Sequence, residues 1–209
     1  MPLFSKVFYY SKLADITPES LIVINQFISQ QSYDNCTNLS EDNNFSESTT
    51  RFDILETDIL KPLKYRILQE FDIFKNEVLR VEDLTFGITT SWATRSKPGK
   101  ESISHSHSNC FYSGILYINV TPDSGSICFK DYTNNSYVFD EKIKEWNIYN
   151  ARVSNWTPEN RDIVFFPSEV QHQFLVNKSN IDRYSIAFNI IPLGSIGLND
   201  SKFTYKEID

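Results

Sequence analysis

Histidine is scarce in this chain: three occur in 209 residues, His105, His107 and His172, and none is left over for incidental duty. Cysteine is equally sparse. Cys36, Cys110 and Cys128 are odd in number and lack metal-type spacing, so a disulfide framework is not expected and reduced thiols are the default. The Asn-x-Ser/Thr triplets Asn35-Cys36-Thr37 and Asn155-Trp156-Thr157 then carry little meaning. No Lys/Arg cluster stands out, and 20 basic against 27 acidic residues give a net charge of −7. That balance repels phosphate backbones in bulk, which argues against nucleic-acid binding and leaves only a local basic groove open. No run approaches the ~18 apolar residues of a membrane span. The start, Met1-Pro2-Leu3-Phe4-Ser5-Lys6, lacks the uninterrupted apolar core of a signal peptide. A cytoplasmic protein without membrane contact is the expectation. With no internal repeat or domain-scale linker, residues 1–209 read as one domain, with a helical part over 1–82, a β core over 83–195 and a tail over 196–209. A chain of this length can bury about 70% of the surface its unfolded form exposes.

What the chain does have is aromatic residues, sixteen Phe and eleven Tyr against one Met, a composition that favours strands. Thr17 can cap a helix with Pro18 at its first position and Glu19 in its first turn, and Leu21, Ile24, Phe27 and Ile28 then share a face. A second helix is expected after Pro62, with Leu63, Ile67, Phe71, Phe74 and Val78 as its stripe. Both stripes suit packing against a sheet. Between them, 32–50 is rich in Ser, Asn, Asp and Thr and reads as an exposed loop. From Leu84 the period changes to two: Leu84, Phe86, Ile88, Thr90 and Trp92 alternate with Thr85, Gly87, Thr89, Ser91 and Ala93. Further strand-like runs cover 102–107, 111–120, 126–130, 163–166, 171–176 and 182–191, punctuated by Pro98-Gly99 and Pro122-Asp123-Ser124-Gly125. The fold class this implies is mainly β with N-terminal helices: a double-stranded β-helix, the cupin-like jelly roll, with helices packed on one sheet.

In an extended strand alternate side chains share a face, so His105 and His107 point the same way, two rises of roughly 3.3 Å apart. They form a chelating pair. His172 follows the apolar run Ile163-Val164-Phe165-Phe166-Pro167, and Arg183 comes shortly after it. Each element alone has a bland reading: a surface or hydrogen-bonded histidine, or a surface ion pair of Arg183 with Asp182. Their conjunction points to a metal site with a carboxylate co-substrate. Neutral imidazole is the commonest transition-metal ligand near neutral pH.

The ordered set Ser91-Trp92-Ala93, Pro98-Gly99, His105-Ser106-His107-Ser108-Asn109, Ser113-Gly114-Ile115-Leu116-Tyr117, Ser124-Gly125, Phe166-Pro167-Ser168, His172 and Arg183-Tyr184-Ser185-Ile186-Ala187-Phe188-Asn189 resembles a family of 2-oxoglutarate- and Fe(II)-dependent oxygenases. Its members occur in marine bacteria and are frequent in cyanophages. A phage gene would place the protein in the host cytoplasm. The resemblance covers roughly 84–191 and implies that His105, His107 and His172 hold iron and that Arg183 binds the distal carboxylate of 2-oxoglutarate. It also implies that Ser185 serves the same carboxylate, since Arg-x-Ser side chains in a strand face one way. Ser108, Cys110 and Asn160-Arg161-Asp162 depart from the family's usual Pro, Ser and Gly-Asp. They touch turns and neighbours rather than the ligands.

The implied cofactors are Fe(II), 2-oxoglutarate and O2, with succinate and CO2 released and hydroxylation of a C–H bond as the outcome. His107 stands where the commoner superfamily pattern has a carboxylate, which leaves the ferrous site one unit more positive. A rival keeps one histidine off the metal and puts Glu169 or Asp131 on it. Tyr117 reads either as a core residue or as a hydrogen-bond donor to 2-oxoglutarate, and Asn109 either as a co-substrate contact or as a shaper of the turn after His107. The aromatic stretch between Phe129 and Trp156 reads as a cover over the site or as packed strands. The substrate, a protein side chain or a small molecule, is not legible. Nor is the oligomeric state, a homodimer being one option. Two other classes compete: a cupin-like three-histidine metalloprotein that does not use 2-oxoglutarate, and a non-enzymatic jelly-roll binding or structural module.

Overall fold

The computed structural model describes residues 6–35, 45–130, 144–147 and 150–205. Strand β1 (Tyr9–Lys12) precedes helix α1 (Pro18–Ser29), whose start is fixed by Thr17: its hydroxyl accepts from the Ser20 N–H at 3.2 Å, with Pro18 in the first turn. Ile24 and Ile28 are buried, and Leu21 and Phe27 pack beside them. Strands β2 (Tyr33–Asn35) and β3 (Glu47–Thr49) lead to helix α2 (Lys61–Ile73), which runs on as a π-helical segment over Phe74–Leu79. Leu63, Ile67, Phe71 and Phe74 face the core, but Val78, expected on the same stripe, is 47% exposed. The wider π turn takes up more residues per revolution and rotates Val78 off the stripe.

The remaining strands are β4 (Thr85–Ser96), β5 (Tyr112–Asn119), β6 (Ile127–Lys130), β7 (Val153–Trp156), β8 (Asp162–Pro167), β9 (Gln171–Phe174), β10 (Arg183–Ile196) and β11 (Phe203–Tyr205). An eight-stranded sheet has the order β1-β8-β5-β10-β4-β3-β2, with β11 paired back onto β10, and a three-stranded sheet has the order β7-β6-β9. All the ladder pairs are antiparallel. This is the jelly roll the sequence implied, with α1 and α2 against one face of the large sheet.

Alternation along the central strands divides the core in two. Leu116, Ile118, Ile163, Phe165, Ile186 and Phe188 face the helices, where they meet Ile28, Phe71 and Phe74. Ile115, Tyr117, Val164, Phe166 and Ala187 face the small sheet, where they meet Ile127 and Phe174. A buried carboxylate ties β1 to α2: Glu70 accepts from the Tyr9 hydroxyl at 2.8 Å and from Arg66 Nη1 at 3.0 Å. Burial opposes the charge on Glu70, but hydrogen bonding to Ser11, Tyr9 and Arg66 outweighs it and lowers its pKa. Burial and the nearby carboxylate together push the Tyr9 phenol up to about 12.

Four expectations need correction. The N-terminal third is not only helical, because β1, β2 and β3 extend both edges of the large sheet. The exposed loop expected over 32–50 contains the β2–β3 pair, its polar residues being edge-strand residues. Residues 102–107 form no regular strand: the segment is held to β9 by the Ser102–Phe174 bond and a single bridge between His105 and His172. There the Ser102 hydroxyl also accepts from the Phe174 N–H at 2.6 Å, replacing a ladder bond. Finally, the alternating series in β4 changes face at a bulge, where the register with β10 shifts between Asn189 and Ile190. Phe86 and Ile88 pack with the helices, whereas Trp92 packs with the inner core. Within the aromatic stretch, 131–143 and 148–149 lie outside the described residues, and the choice between a cover over the site and packed strands lies largely there with them. Among the described residues no helix is long and apolar enough to cross a membrane, and Cys110 and Cys128 are free thiols.

Candidate metal centre and co-substrate pocket

The bridge between the 102–107 segment and β9 brings the three histidines together. His105 N–H donates to the His172 carbonyl and His172 N–H to the His105 carbonyl, both at 2.9 Å, while His107 N–H is held by the Ser168 carbonyl at 2.9 Å. The ring centroids then lie 4.5 Å (His105–His172), 5.0 Å (His105–His107) and 5.2 Å (His107–His172) apart. One ligand atom from each ring lies within 4.8 Å of the other two, and among the described residues this is the sole such cluster of His, Cys, Asp or Glu. Glu169 is exposed and outside it, and Asp131 lies outside the described residues.

The donor set fits a first-row metal ion. Nδ1 of His105 is 2.8 Å from the Ile103 carbonyl and Nδ1 of His172 is 3.0 Å from the Val170 carbonyl, so on both rings Nδ1 carries the proton and Nε2 presents its lone pair. Burial, helped by the charge of the neighbouring His105, lowers the pKa of His107 to about 4 and that of His172 to about 3. Both rings are neutral at pH 7 and free to ligate. Trp92 packs on His107 with ring centroids 5.5 Å apart.

The inner face of β10 presents Arg183, Ser185, Ala187 and Asn189 in sequence, flanked in register by Ser96, Thr94, Trp92 and Thr90 of β4. On the other side, β5 sets Tyr117 beside Ser185, Ile115 beside Ala187 and Ser113 beside Asn189. Arg183 is 1% exposed. Its Nη1 donates to the Ser124 and Gly125 carbonyls at 3.2 and 3.4 Å, its guanidinium carbon sits 4.1 Å from the Phe174 ring centroid, and its Nη2 has no partner. Burial draws its pKa down to about 10, and no carboxylate among the described residues offsets this. The hydroxyl of Tyr117 is likewise buried without a partner, and burial raises its pKa. Two orphaned donors on one buried face call for an acceptor that the described residues do not supply. A dicarboxylic 2-oxo acid fits them. Ser185, on the same face as Arg183, shares a 2.6 Å hydrogen bond with Thr94.

The structure therefore groups His105, His107 and His172 in one cluster, and Arg183, Ser185 and Tyr117 on the neighbouring inner face. Asn109 stands apart: exposed, with φ at 60°, it shapes the turn after His107 and does not line the cavity. Missed in the sequence were the carbonyls of Ser124 and Gly125 that hold Arg183. Gly125, at φ 92°, has no room for a Cβ, which would lie 2.2 Å from the Leu175 carbonyl oxygen. The Ser124-Gly125 turn signal was visible, but its partner was not. Also missed as site residues were Thr94, Trp92 and Phe52, which line a cavity of about 330 Å³ beside the three histidines.

A jelly roll with three converging imidazoles beside a buried, unpaired arginine defines a non-haem metalloenzyme that takes an anionic co-substrate. Residues 90–189, just under half of the chain, match the model of a family described as "Putative 2OG-Fe(II) oxygenase", whose cofactors are Fe(II), 2-oxoglutarate and O2. Solved structures agree on the fold. A Pseudomonas putida prolyl-4-hydroxylase superposes with a TM-score of 0.59 at 12% identity, covering 88% of this chain and 93% of that one. A Trichoplax adhaerens prolyl hydroxylase in complex with a hypoxia inducible factor peptide fragment gives 0.59 at 14% identity, covering 88% and 83%. The 2-oxoglutarate-dependent epimerase SnoN of nogalamycin biosynthesis gives 0.64 at 10% identity, covering 89% and 76%. A comparison with curated protein sequences finds no match.

Proposed function

We propose that this protein is an Fe(II)- and 2-oxoglutarate-dependent oxygenase that hydroxylates a C–H bond of its substrate, with His105, His107 and His172 holding Fe(II) and Arg183, Ser185 and Tyr117 holding 2-oxoglutarate. Bound there, the iron and the co-substrate supply oxidative decarboxylation: 2-oxoglutarate and O2 become succinate and CO2, and the second oxygen atom enters the C–H bond. The protein's own work is binding, orientation and exclusion of water. The backbone carbonyls of Ile103 and Val170 fix the tautomers of His105 and His172, so that Nε2 faces the metal position. Arg183 offers a guanidinium edge already anchored through Nη1, leaving Nη2 for a carboxylate oxygen. Tyr117 adds a neutral donor, its proton held firmly by burial.

The observation that carries this reading is the pairing of the three-imidazole cluster with Arg183, a buried cation that no carboxylate among the described residues neutralises. A three-histidine site working without 2-oxoglutarate leaves that arginine without purpose, and a non-enzymatic module leaves both features so. Anaerobic titration of the apoprotein with Fe(II) and then 2-oxoglutarate tests it. The weak visible charge-transfer band of the chelate is expected, followed by succinate formation on admitting O2. Iron binding with no band and no succinate refutes it.

A further inference from the structure

The cavity beside the histidines has an unusual wall. None of the described residues lining it is Asp, Glu, Lys or Arg: its polar lining consists of Ser and Thr hydroxyls and the three imidazoles, and the rest is hydrocarbon. Arg95 and Lys97 line a separate depression that shares Phe45 with this cavity, and they are engaged there by Glu47 at 2.6 and 3.2 Å. At the mouth stands Phe52, 55% exposed and outside both hydrophobic cores. Its backbone is nevertheless pinned, because its carbonyl accepts from the Ser91 N–H at 2.9 Å and the next residue, Asp53, bridges to Ser91. A phenyl ring held out into solvent on a fixed backbone contributes little to folding. Its neighbour explains it: the Phe52 ring lies 6.1 Å from Trp92, and Trp92 lies 5.5 Å from His107, so three rings lead from the surface to the metal position.

We infer that Phe52 and Trp92 form the substrate-selecting wall of this site, and that the group they admit is uncharged, rich in hydrocarbon and of side-chain size. The inference rests on the oxygenase reading and deepens it. With the charge of the metal ion matched by the dianionic co-substrate, a further charged group entering this cavity would lose its hydration without an opposite charge left to meet it, a penalty no hydroxyl lining repays. An apolar group loses nothing and covers the exposed faces of Phe52 and Trp92. The size follows from the volume: about 330 Å³ must admit the co-substrate's reactive end as well, so the rest of any larger substrate stays outside.

The experiment uses the full chain loaded with Zn(II) and 2-oxoglutarate, and two matched probes, N-acetyl-leucinamide and N-acetyl-aspartamide, observed by saturation-transfer NMR. The leucine probe is expected to bind at least about tenfold more tightly than the aspartate probe. Phe52→Ser should weaken the leucine probe by about three- to tenfold, while Phe52→Leu retains most of its affinity. Equal response to the two probes, including none to either, overturns the inference, as does unchanged leucine-probe affinity in Phe52→Ser. The Fe(II)–2-oxoglutarate band, recorded on the same proteins, keeps the two readings apart: its loss in the wild type refutes the oxygenase assignment, whereas its presence with the wrong probe preference refutes this inference alone.

Discussion

Arg183 and Tyr117 sit on adjacent strands facing one interior, each with a buried polar atom that meets no partner, and each is close enough to act on the other's proton affinity. On the proposed reading, that arginine receives the distal carboxylate of 2-oxoglutarate. Arg183→Met should leave Fe(II) stoichiometry at one and weaken 2-oxoglutarate by about 2–5 kcal/mol, or tens- to thousands-fold. Titration of the chelate band measures both, and equal co-substrate affinity in the two proteins would assign the carboxylate to another cation.

Tyr117→Phe separates a site residue from a core residue. Removing an unpaired hydroxyl leaves the apoprotein as stable or more so, because no hydrogen bond is lost and a desolvated polar group disappears. If the hydroxyl serves the co-substrate, the same change weakens 2-oxoglutarate by about 1 kcal/mol. The expected signature is a Tm equal to or above wild type together with a severalfold higher Kd. Unchanged affinity would make Tyr117 a core residue only.

The buried His172 and the half-buried His107 make the metal-free protein sensitive to mild acid. Unfolded, His107 and His172 titrate near 6.5; folded, they do so at about 4 and about 3. Between those values the unfolded chain binds more protons, so stability rises with pH and is lost as pH falls below about 6.5. Tm of the apoprotein should drop from pH 7 to pH 5, and a His107→Gln, His172→Gln double variant should show a flatter profile over that interval. Parallel profiles would contradict the burial of these rings.

Glu70 gives a control outside the site. It is 4% exposed and joins Tyr9 of β1 to Arg66 of α2. Glu70→Ala leaves the half-buried Tyr9 phenol short of an acceptor and Arg66 with Asp15 as its carboxylate partner, and should cost about 2 kcal/mol in chemical denaturation, with one Fe(II) still bound by the folded protein. A loss below 1 kcal/mol would show that solvent reaches this network.

How much of this the sequence foretold depended on whether the signal was local. The Thr17-Pro18 cap and the periodic stripe of α2 are local, and they located the helices. Period two located the strands, but not the faces: the bulge opposite Asn189 turns Trp92 inward after Phe86 and Ile88 have faced the helices, and a bulge is a property of pairing. The edge strands β2 and β3 escaped notice because their polar residues satisfy a half-solvated edge as well as a loop. His105, His107, His172 and Arg183 were legible by residue type. The Ser124 and Gly125 carbonyls were not, since any residue can present a carbonyl and only the fold decides which does. Phe52 and Trp92 were hidden among many aromatic residues whose ordinary place is the core.

His107 offers the sharpest test of the site. The three rings already converge without a carboxylate from the described residues, and the His107 ring lies 5.5 Å from that of Trp92. An iron-loaded structure should place a nitrogen of each ring about 2.0–2.2 Å from the metal. His107→Asp then changes charge and reach together: it lowers the charge of the metal site by one unit and supplies a shorter ligand, in a pocket whose wall was shaped by an imidazole. Iron binding should survive in part, because two imidazoles and a carboxylate are a competent donor set. Affinity for the dianionic 2-oxoglutarate should fall, since one positive charge beside it has been cancelled and the Coulomb term acts in a poorly hydrated cavity. Chelate-band titrations on both proteins, with His107→Asn as the uncharged control, distinguish the two effects. If Asp and Asn weaken 2-oxoglutarate equally, reach rather than charge governs the site; if His107→Ala keeps full iron affinity, His107 is not a ligand and the three-imidazole centre is wrong.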